Sequence, residues 1–103
     1  MKPIEVMYDE SSHHWHNDGN YNRMFLQAQQ NYANRMLHSR GHVFLNEIFD
    51  ALGLPRTTNG AIVGWTNQDI PITFETHDEK DYSHPMILKF NVEGIIYDKI
   101  DYL

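Results

Sequence analysis

Residues 43–65 read VFLNEIFDALGLPRTTNGAIVGW and combine a short apolar helix, a helix stop, a polar turn and an apolar run that ends on Trp65. Asn46 is the expected N-cap of this helix, with Glu47 in its first turn, and residues 42–45 fit either an extended segment or a first helical turn. The stop is well specified, because a left-handed glycine, an apolar leucine and a proline follow one another. We predict that five structural residues of this stretch organise the fold: Leu52, Gly53, Pro55, Gly64 and Trp65.

A longer amphipathic helix is predicted over residues 21–38, where apolar side chains recur at spacings of three and four. Asp18 or Asn20 can act as its N-cap, and Gly41 ends it soon after Arg40. With roughly five turns it is the longest expected element. Its predicted apolar stripe, which should face the core, consists of Tyr21, Met24, Phe25, Ala28, Tyr32 and Met36, widened by Leu26, Ala33 and Leu37.

Alternation of apolar and polar residues predicts the strands. Residues 4–8 form a short strand, and residues 13–16 around Trp15 are a second extended piece that can pair back as a hairpin. A meander of three further strands is predicted at residues 70–75, 86–92 and 95–100. The predicted fold class is therefore α+β: an antiparallel β-sheet of four to five strands packed against one long and one short α-helix, in a single domain spanning residues 1–103.

Composition excludes several classes of protein. The chain has 103 residues, of which 41% are hydrophobic and 13% aromatic, so it can build one modest core. It has no cysteine, which excludes disulfides, thiolate zinc sites and cysteine nucleophiles. The net charge of −6 argues against a nucleic-acid partner. No window approaches the roughly 20 apolar residues of a membrane span, so we expect a soluble protein without a membrane partner.

Charge is distributed unevenly along the chain. Residues 19–46 contain three arginines, two histidines and no carboxylate, whereas residues 69–81 contain five carboxylates. A basic side and an acidic end suit contacts with another protein, including head-to-tail self-association, so a homo-oligomer is one possible state. The residues predicted to bind a protein partner are Arg23, Arg35, Arg40, Asp78, Glu79 and Asp81.

The segment His13-His14-Trp15-His16 is the strongest candidate for metal binding. In an extended conformation, His14 and His16 share one face and could bind a metal through two imidazoles, with His77, His84 or Asp78 supplying further ligands. Two ligands do not make a site, and no ligand-spaced carboxylate accompanies them. We therefore expect a polar hairpin with the tryptophan packed inward, and no metal.

No catalytic template fits the sequence. Ser83 and His84 are neighbours, as are Ser12 and His13, but adjacent residues of an extended chain point to opposite sides, and no nucleophile elbow surrounds them. The glycines form neither a Walker loop nor a dinucleotide fingerprint, and the carboxylates of residues 78–81 lack the spacing of an EF-hand. We expect no enzymatic activity, no catalytic residues and no cofactor.

Part of the sequence resembles a known group of proteins. Residues 45–57, Gly64-Trp65 and residues 72–76 resemble the C-terminal domain of a family of uncharacterised proteins encoded by phages and prophages of Gram-positive bacteria. The resemblance extends back to residues 6–9 and forward to residues 88–92. It implies a phage origin and carries over no catalytic or ligand residue. Larger members carry an N-terminal membrane segment, which we do not expect here.

These observations favour a non-enzymatic protein-interaction module. The first expectation is a virion component or assembly partner that binds a phage structural protein, located in the virion, the host cytoplasm or both. The alternative is a small soluble inhibitor that binds a host protein, such as a defence protein. A small-molecule-binding protein is the third possibility.

Overall fold

The computed structural model describes residues 3–76 and 82–100. In these residues, two α-helices accompany six β-strands, and the strands belong to two antiparallel sheets. The predicted α+β class, with one long and one short helix, is therefore confirmed. In chain order the elements are β1 (Ile4–Tyr8), α1 (Gly19–Arg40), β2 (Val43–Phe44), α2 (Leu45–Leu52), β3 (Val63–Trp65), β4 (Phe74–Thr76), β5 (Met86–Phe90) and β6 (Gly94–Ile95), with 3-10 turns at Asn59–Ala61 and Tyr97–Lys99.

The strands divide between two three-stranded sheets instead of forming the single predicted sheet. In the first sheet, β5 lies between β1 and β4, and Val6 of β1 is opposite Leu88. In the second, β3 lies between β2 and β6, and Val43 is opposite Trp65. The absence of a side chain at Gly64 allows β2 to lie close to β3. A Cβ atom at this position would lie 2.0 Å from the carbonyl oxygen of Val43 and would clash with it. The strands of this second sheet contain only two or three residues each, so they form a small sheet around that close contact.

The core lies where α2 meets both sheets. The ring of Phe49 on α2 contacts that of Phe90 on β5, with 5.4 Å between ring centroids. Trp65 of β3 is buried, and its Nε1 donates a hydrogen bond of 2.9 Å to the carbonyl oxygen of Asn91. Four of the eight residues of α2 are buried: Leu45, Ile48, Phe49 and Leu52.

Both helices end at a left-handed glycine, as predicted. Gly41 has φ of 83° and donates its N–H to a helix carbonyl four residues earlier, at 2.8 Å. Gly53 has φ of 73°, and the N–H of Leu54 donates to the carbonyl oxygen of Phe49 at 2.8 Å. Pro55 follows and is exposed. These positive φ values are easy for glycine and strained for other residues, so both helix ends are encoded locally.

The start of α2 differs from the prediction. Phe44 is the N-cap, and the side chain of Glu47 accepts a hydrogen bond of 2.9 Å from the Phe44 N–H. Asn46 lies inside the helix and instead exchanges hydrogen bonds with the backbone of Thr57, at 2.9 and 3.0 Å. The pairing of β2 with β3 keeps the backbone extended through Phe44, so the helix begins directly afterwards.

The predicted hairpin at residues 13–16 is wrong. This segment forms consecutive turns, in which the N–H of Ser12 donates to the carbonyl oxygen of Asp9 and the N–H of Trp15 donates to that of Ser12. The Ser12 hydroxyl donates to the Leu52 carbonyl oxygen at 2.7 Å. A carbonyl left free at the end of α2 therefore receives a donor, and this contact holds the segment as turns. Trp15 packs against the core, as expected.

The strands predicted at residues 70–75 and 95–100 are shorter in the structure. β4 begins only at Phe74, because side-chain amides bind the backbone before it: Asn34 accepts from the N–H of Ile72, and Asn91 donates to the carbonyl oxygen of Pro71. β6 ends at Ile95 because the next two backbone N–H groups both donate to the carbonyl oxygen of Ile62. Hydrogen bonds to neighbouring loops therefore replace the expected strand pairing.

Candidate functional site

The apolar residues of α1 form two adjacent stripes along the helix. The structure buries the stripe that contains fewer large apolar side chains. Its buried residues are Asn22, Leu26, Ala33 and Leu37. In contrast, Tyr21, Met24 and Tyr32 keep 40%, 62% and 45% of their surface exposed. The prediction that these three side chains face the core is therefore wrong. We define the α1 face as Tyr21, Met24, Phe25, Ala28, Tyr32 and Met36, in which Phe25 and Met36 are half-buried and Ala28 is exposed.

The buried stripe faces the core because its polar residue, Asn22, hydrogen-bonds two other segments of the same chain. Asn22 is fully buried, and its Nδ2 donates to the carbonyl oxygens of His16 and Tyr82, both at 2.8 Å. Its Oδ1 accepts from the N–H of His16 at 3.1 Å. A buried amide with all these partners fixes the rotation of the helix about its axis. Sequence reasoning missed Asn22; the available signal was its spacing of four from Leu26.

Two further amides on α1 bind the segment that leads into β4. Asn34 accepts from the N–H of Ile72 at 2.8 Å and donates to its carbonyl oxygen at 3.1 Å. Gln30 accepts from the N–H of Phe74 at 2.8 Å. These two side chains thus form the hydrogen bonds that a further strand would otherwise form with the backbone of this segment. Both side chains lie outside the apolar stripe that the sequence predicts for this helix.

Aromatic rings border the N-terminal end of the α1 face. The His14 ring stacks on Phe25 at 4.8 Å, and the His16 ring lies 3.7 Å from that of Tyr21. The His13 ring lies 4.1 Å from that of His14. Burial lowers the pKa of His14, and the neighbouring imidazole lowers it further, so the neutral ring is favoured. These histidines act in the structure as packing groups around the helix.

Among the described residues, the candidate metal ligands are not assembled into a metal centre. His16 uses Nδ1 for a contact of 3.1 Å with the carbonyl oxygen of His14. Within residues 3–76 and 82–100, no group of three or more His, Asp or Glu side chains is arranged to hold a metal ion. His77 and the predicted acidic residues Asp78, Glu79 and Asp81 lie outside the described residues.

A groove of about 470 Å³ borders the C-terminal end of the α1 face. The groove lies between the two helices. An ion pair links Arg40 of α1 to Glu47 of α2, with 2.6 Å between a guanidinium nitrogen and a carboxylate oxygen. A second pair of 2.5 Å links Arg56 to Asp50. Surface ion pairs contribute little stability, but these two fix charged groups at the groove. The residues that line it are Tyr32, Met36, Arg40, Glu47, Asp50, Ala51 and Arg56.

The three predicted arginines are separated by the helix. Arg35 follows Tyr32 by three residues and lies on the same side, whereas Arg23 precedes Tyr32 by nine residues and lies on the opposite side. Both are exposed, and neither forms an ion pair with any residue that the structure describes. Arg40 is held by Glu47. The structure thus brings Arg35 and Arg40 to the α1 face and places Arg23 away from it.

This surface has the composition of a binding surface. Exposed tyrosine and methionine side chains combine with guanidinium groups, and these are the residue types enriched in protein–protein interfaces. Among the described residues, no helix has the length and apolar character needed to cross a membrane.

The fold and this surface define the class: an α+β domain with an exposed aromatic face on its long helix. The chain belongs to a family of unknown function (DUF6353), which matches residues 3–100. Neither a search of curated proteins nor a search of solved structures gave a match.

Proposed function

We propose that the protein is a non-enzymatic interaction module that binds a protein partner through the α1 face. The observation that carries this proposal is the exposure of Tyr21, Met24 and Tyr32 on a helix that already packs through another stripe. Large exposed apolar groups at helical spacing cost solubility, and contiguous patches of this kind usually mark binding sites. The face is therefore available to a partner.

In the same proposal, the partner is a phage structural protein, and the chain is a virion component or assembly partner. It would act in the host cytoplasm, the virion or both. The support is the resemblance of residues 45–57 and Gly64-Trp65 to proteins of phages and prophages of Gram-positive bacteria. Those residues build α2, its C-terminal stop and β3, so they maintain the scaffold that presents α1.

Mass spectrometry of purified particles tests the biological setting. Particles of a phage that encodes this chain should contain it at stoichiometric abundance, and its absence would contradict the proposal. Co-purification with one host protein, together with absence from particles, would favour the host-directed inhibitor. A thermal shift with a small molecule but with no protein partner would favour the third class, for which the groove has a typical volume.

A matched pair of variants tests the surface. Tyr32→Asp places a charge on the α1 face, whereas Tyr97→Asp places it on a tyrosine that is 58% exposed on the C-terminal 3-10 turn. We expect the first variant to be lost from particles and the second to be retained, with both equally folded by circular dichroism. Equal retention would place the binding surface elsewhere on the protein.

A further inference from the structure

The geometry of the α1 face restricts the shape of the element that can cover it. From Tyr21 to Met36 the face spans 16 residues, or about 22 Å along the helix axis. The backbone N–H and C=O groups of α1 are used within the helix, so an extended segment could not gain main-chain hydrogen bonds there. A partner helix satisfies its own backbone and can pack side chains between those of α1.

The middle of the face is suited to a close approach. Ala28 is exposed and small, and Met24 and Tyr32 lie one turn before and one turn after it. This leaves a depression between two large side chains, into which a ridge of a second helix fits. On the other side of Tyr32 lies the groove between α1 and α2, which Tyr32 itself helps to line.

The charges on α1 restrict the composition of the partner helix. The 22 residues of α1 contain three arginines and no carboxylate. Arg35, at the face, is exposed and forms no ion pair with a described residue, and the two other guanidinium groups at the groove already have carboxylate partners. A basic helix, or α1 of a second copy, would bring like charges together at this surface, which is costly.

We propose that the α1 face receives an amphipathic helix with acidic flanking residues, whose apolar side fills the depression at Ala28 and whose carboxylate pairs with Arg35. This inference rests on the proposed interaction function and adds the chemical class of the partner. Pairing at Arg35 fixes the position of the bound helix and raises its association rate.

Two synthetic helical peptides provide the probe. They share one apolar stripe of leucines and differ only in flanking residues, which are all Glu in one and all Lys in the other. Fluorescence anisotropy with the full chain should show binding of the Glu peptide at least about tenfold tighter, the size of effect that a close charge pair provides. Added salt should weaken it. Equal affinities, preference for the Lys peptide, or no binding of either would overturn the inference.

Arg35→Glu and Arg23→Glu form the matched pair for the charge test, since the two arginines lie on different sides of one helix. The first variant should lose the preference for the Glu peptide, and the second should keep it. An equal loss in both would show a general effect of net charge and would contradict pairing at Arg35.

Sedimentation and particle analysis separate the remaining outcomes. A dimer that Tyr32→Asp dissociates would mean that a second copy covers the face, which overturns the acidic partner. Loss of Tyr32→Asp from particles without any peptide preference would leave the proposed function standing and remove the partner class. Preference for the Glu peptide in a chain absent from particles would support this inference and contradict the particle setting.

Discussion

The two helices bury the same number of side chains with very different lengths. Four residues are buried in each, but α2 has eight residues and α1 has 22. In α2 the four are large and apolar, so the helix is an integral part of the core. In α1 they include Ala33 and Asn22, and amide hydrogen bonds to neighbouring segments supplement the apolar contacts. The difference shows that α2 is central to the core, whereas most residues of α1 lie outside it.

The largest expected loss of stability follows from substitutions in α2 and in the core around it. Leu52 is fully buried, so Leu52→Ala should lower the free energy of unfolding by about 2–5 kcal/mol through lost apolar contact and a cavity. Trp65→Ala should cost about as much or more. Urea denaturation followed by fluorescence measures the loss for Leu52→Ala, and circular dichroism measures it for both variants. A loss below about 1 kcal/mol would contradict the central place of this helix in the core.

The next largest loss of stability is expected when the buried amide of Asn22 on α1 is removed. Asn22→Ala leaves the backbone groups of His16 and Tyr82 without their side-chain partner, which should cost about 1–3 kcal/mol. Asn20→Ala, at an exposed position in the first turn of the same helix, is the control and should change stability by less than about 0.5 kcal/mol. Alanine has a higher helix propensity than asparagine, so propensity alone would raise stability in both variants. Equal stability of the two variants would therefore show that the buried amide contributes nothing.

These contacts also explain how far the sequence could predict the structure. The two helix stops were predictable because a left-handed glycine is a local requirement. The burial of α1 was not, because Tyr21, Met24 and Tyr32 have the apolarity of core residues and their exposure depends on what Asn22, Gln30 and Asn34 bind. Apart from His16, which is six residues from Asn22, those partners are 38 to 60 residues away in sequence.

The candidate site was predicted in composition but not in arrangement. Sequence analysis named Arg23, Arg35 and Arg40 as one basic group, but the helix places Arg23 opposite Tyr32. The groove next to Arg40 depends on the packing of α2, which no local pattern specifies. The histidine segment was predicted to be extended, and its turns depend on a hydrogen bond between Ser12 and Leu52, 40 residues away.

A smaller effect concerns the ion pair between the two helices. Burial raises the pKa of Glu47, but hydrogen bonds from Arg40 and from the N–H of Phe44 lower it more, so the pKa lies below its ordinary value. The ionised carboxylate therefore stabilises the fold at neutral pH. This contribution should be complete above about pH 4.3, the ordinary pKa of glutamate, and should disappear as the pH falls through the lower pKa of the folded state.

Denaturation of Glu47→Gln across the acid range measures that contribution. Because both side chains are about one-third exposed, the difference from the unmodified protein at neutral pH should be less than about 1 kcal/mol. The difference should shrink as the pH falls, since protonation removes the same charge from the unmodified protein. A difference that stays constant with pH would mean that the carboxylate charge does not stabilise the contact.

The smallest effect on stability is expected on the α1 face, and it tests the comparison most directly. Met24 and Leu26 lie two residues apart, but Met24 is 62% exposed and Leu26 is buried. Met24→Ala should therefore change the free energy of unfolding by less than about 0.5 kcal/mol, whereas Leu26→Ala should cost about 2 kcal/mol or more. A loss above about 1 kcal/mol at Met24 would mean that this side chain packs within its own chain, and the face would then be unavailable to a partner. A negligible loss there, with a large one at Leu26, would show that this helix has one stripe that stabilises the fold and another that contributes little to it.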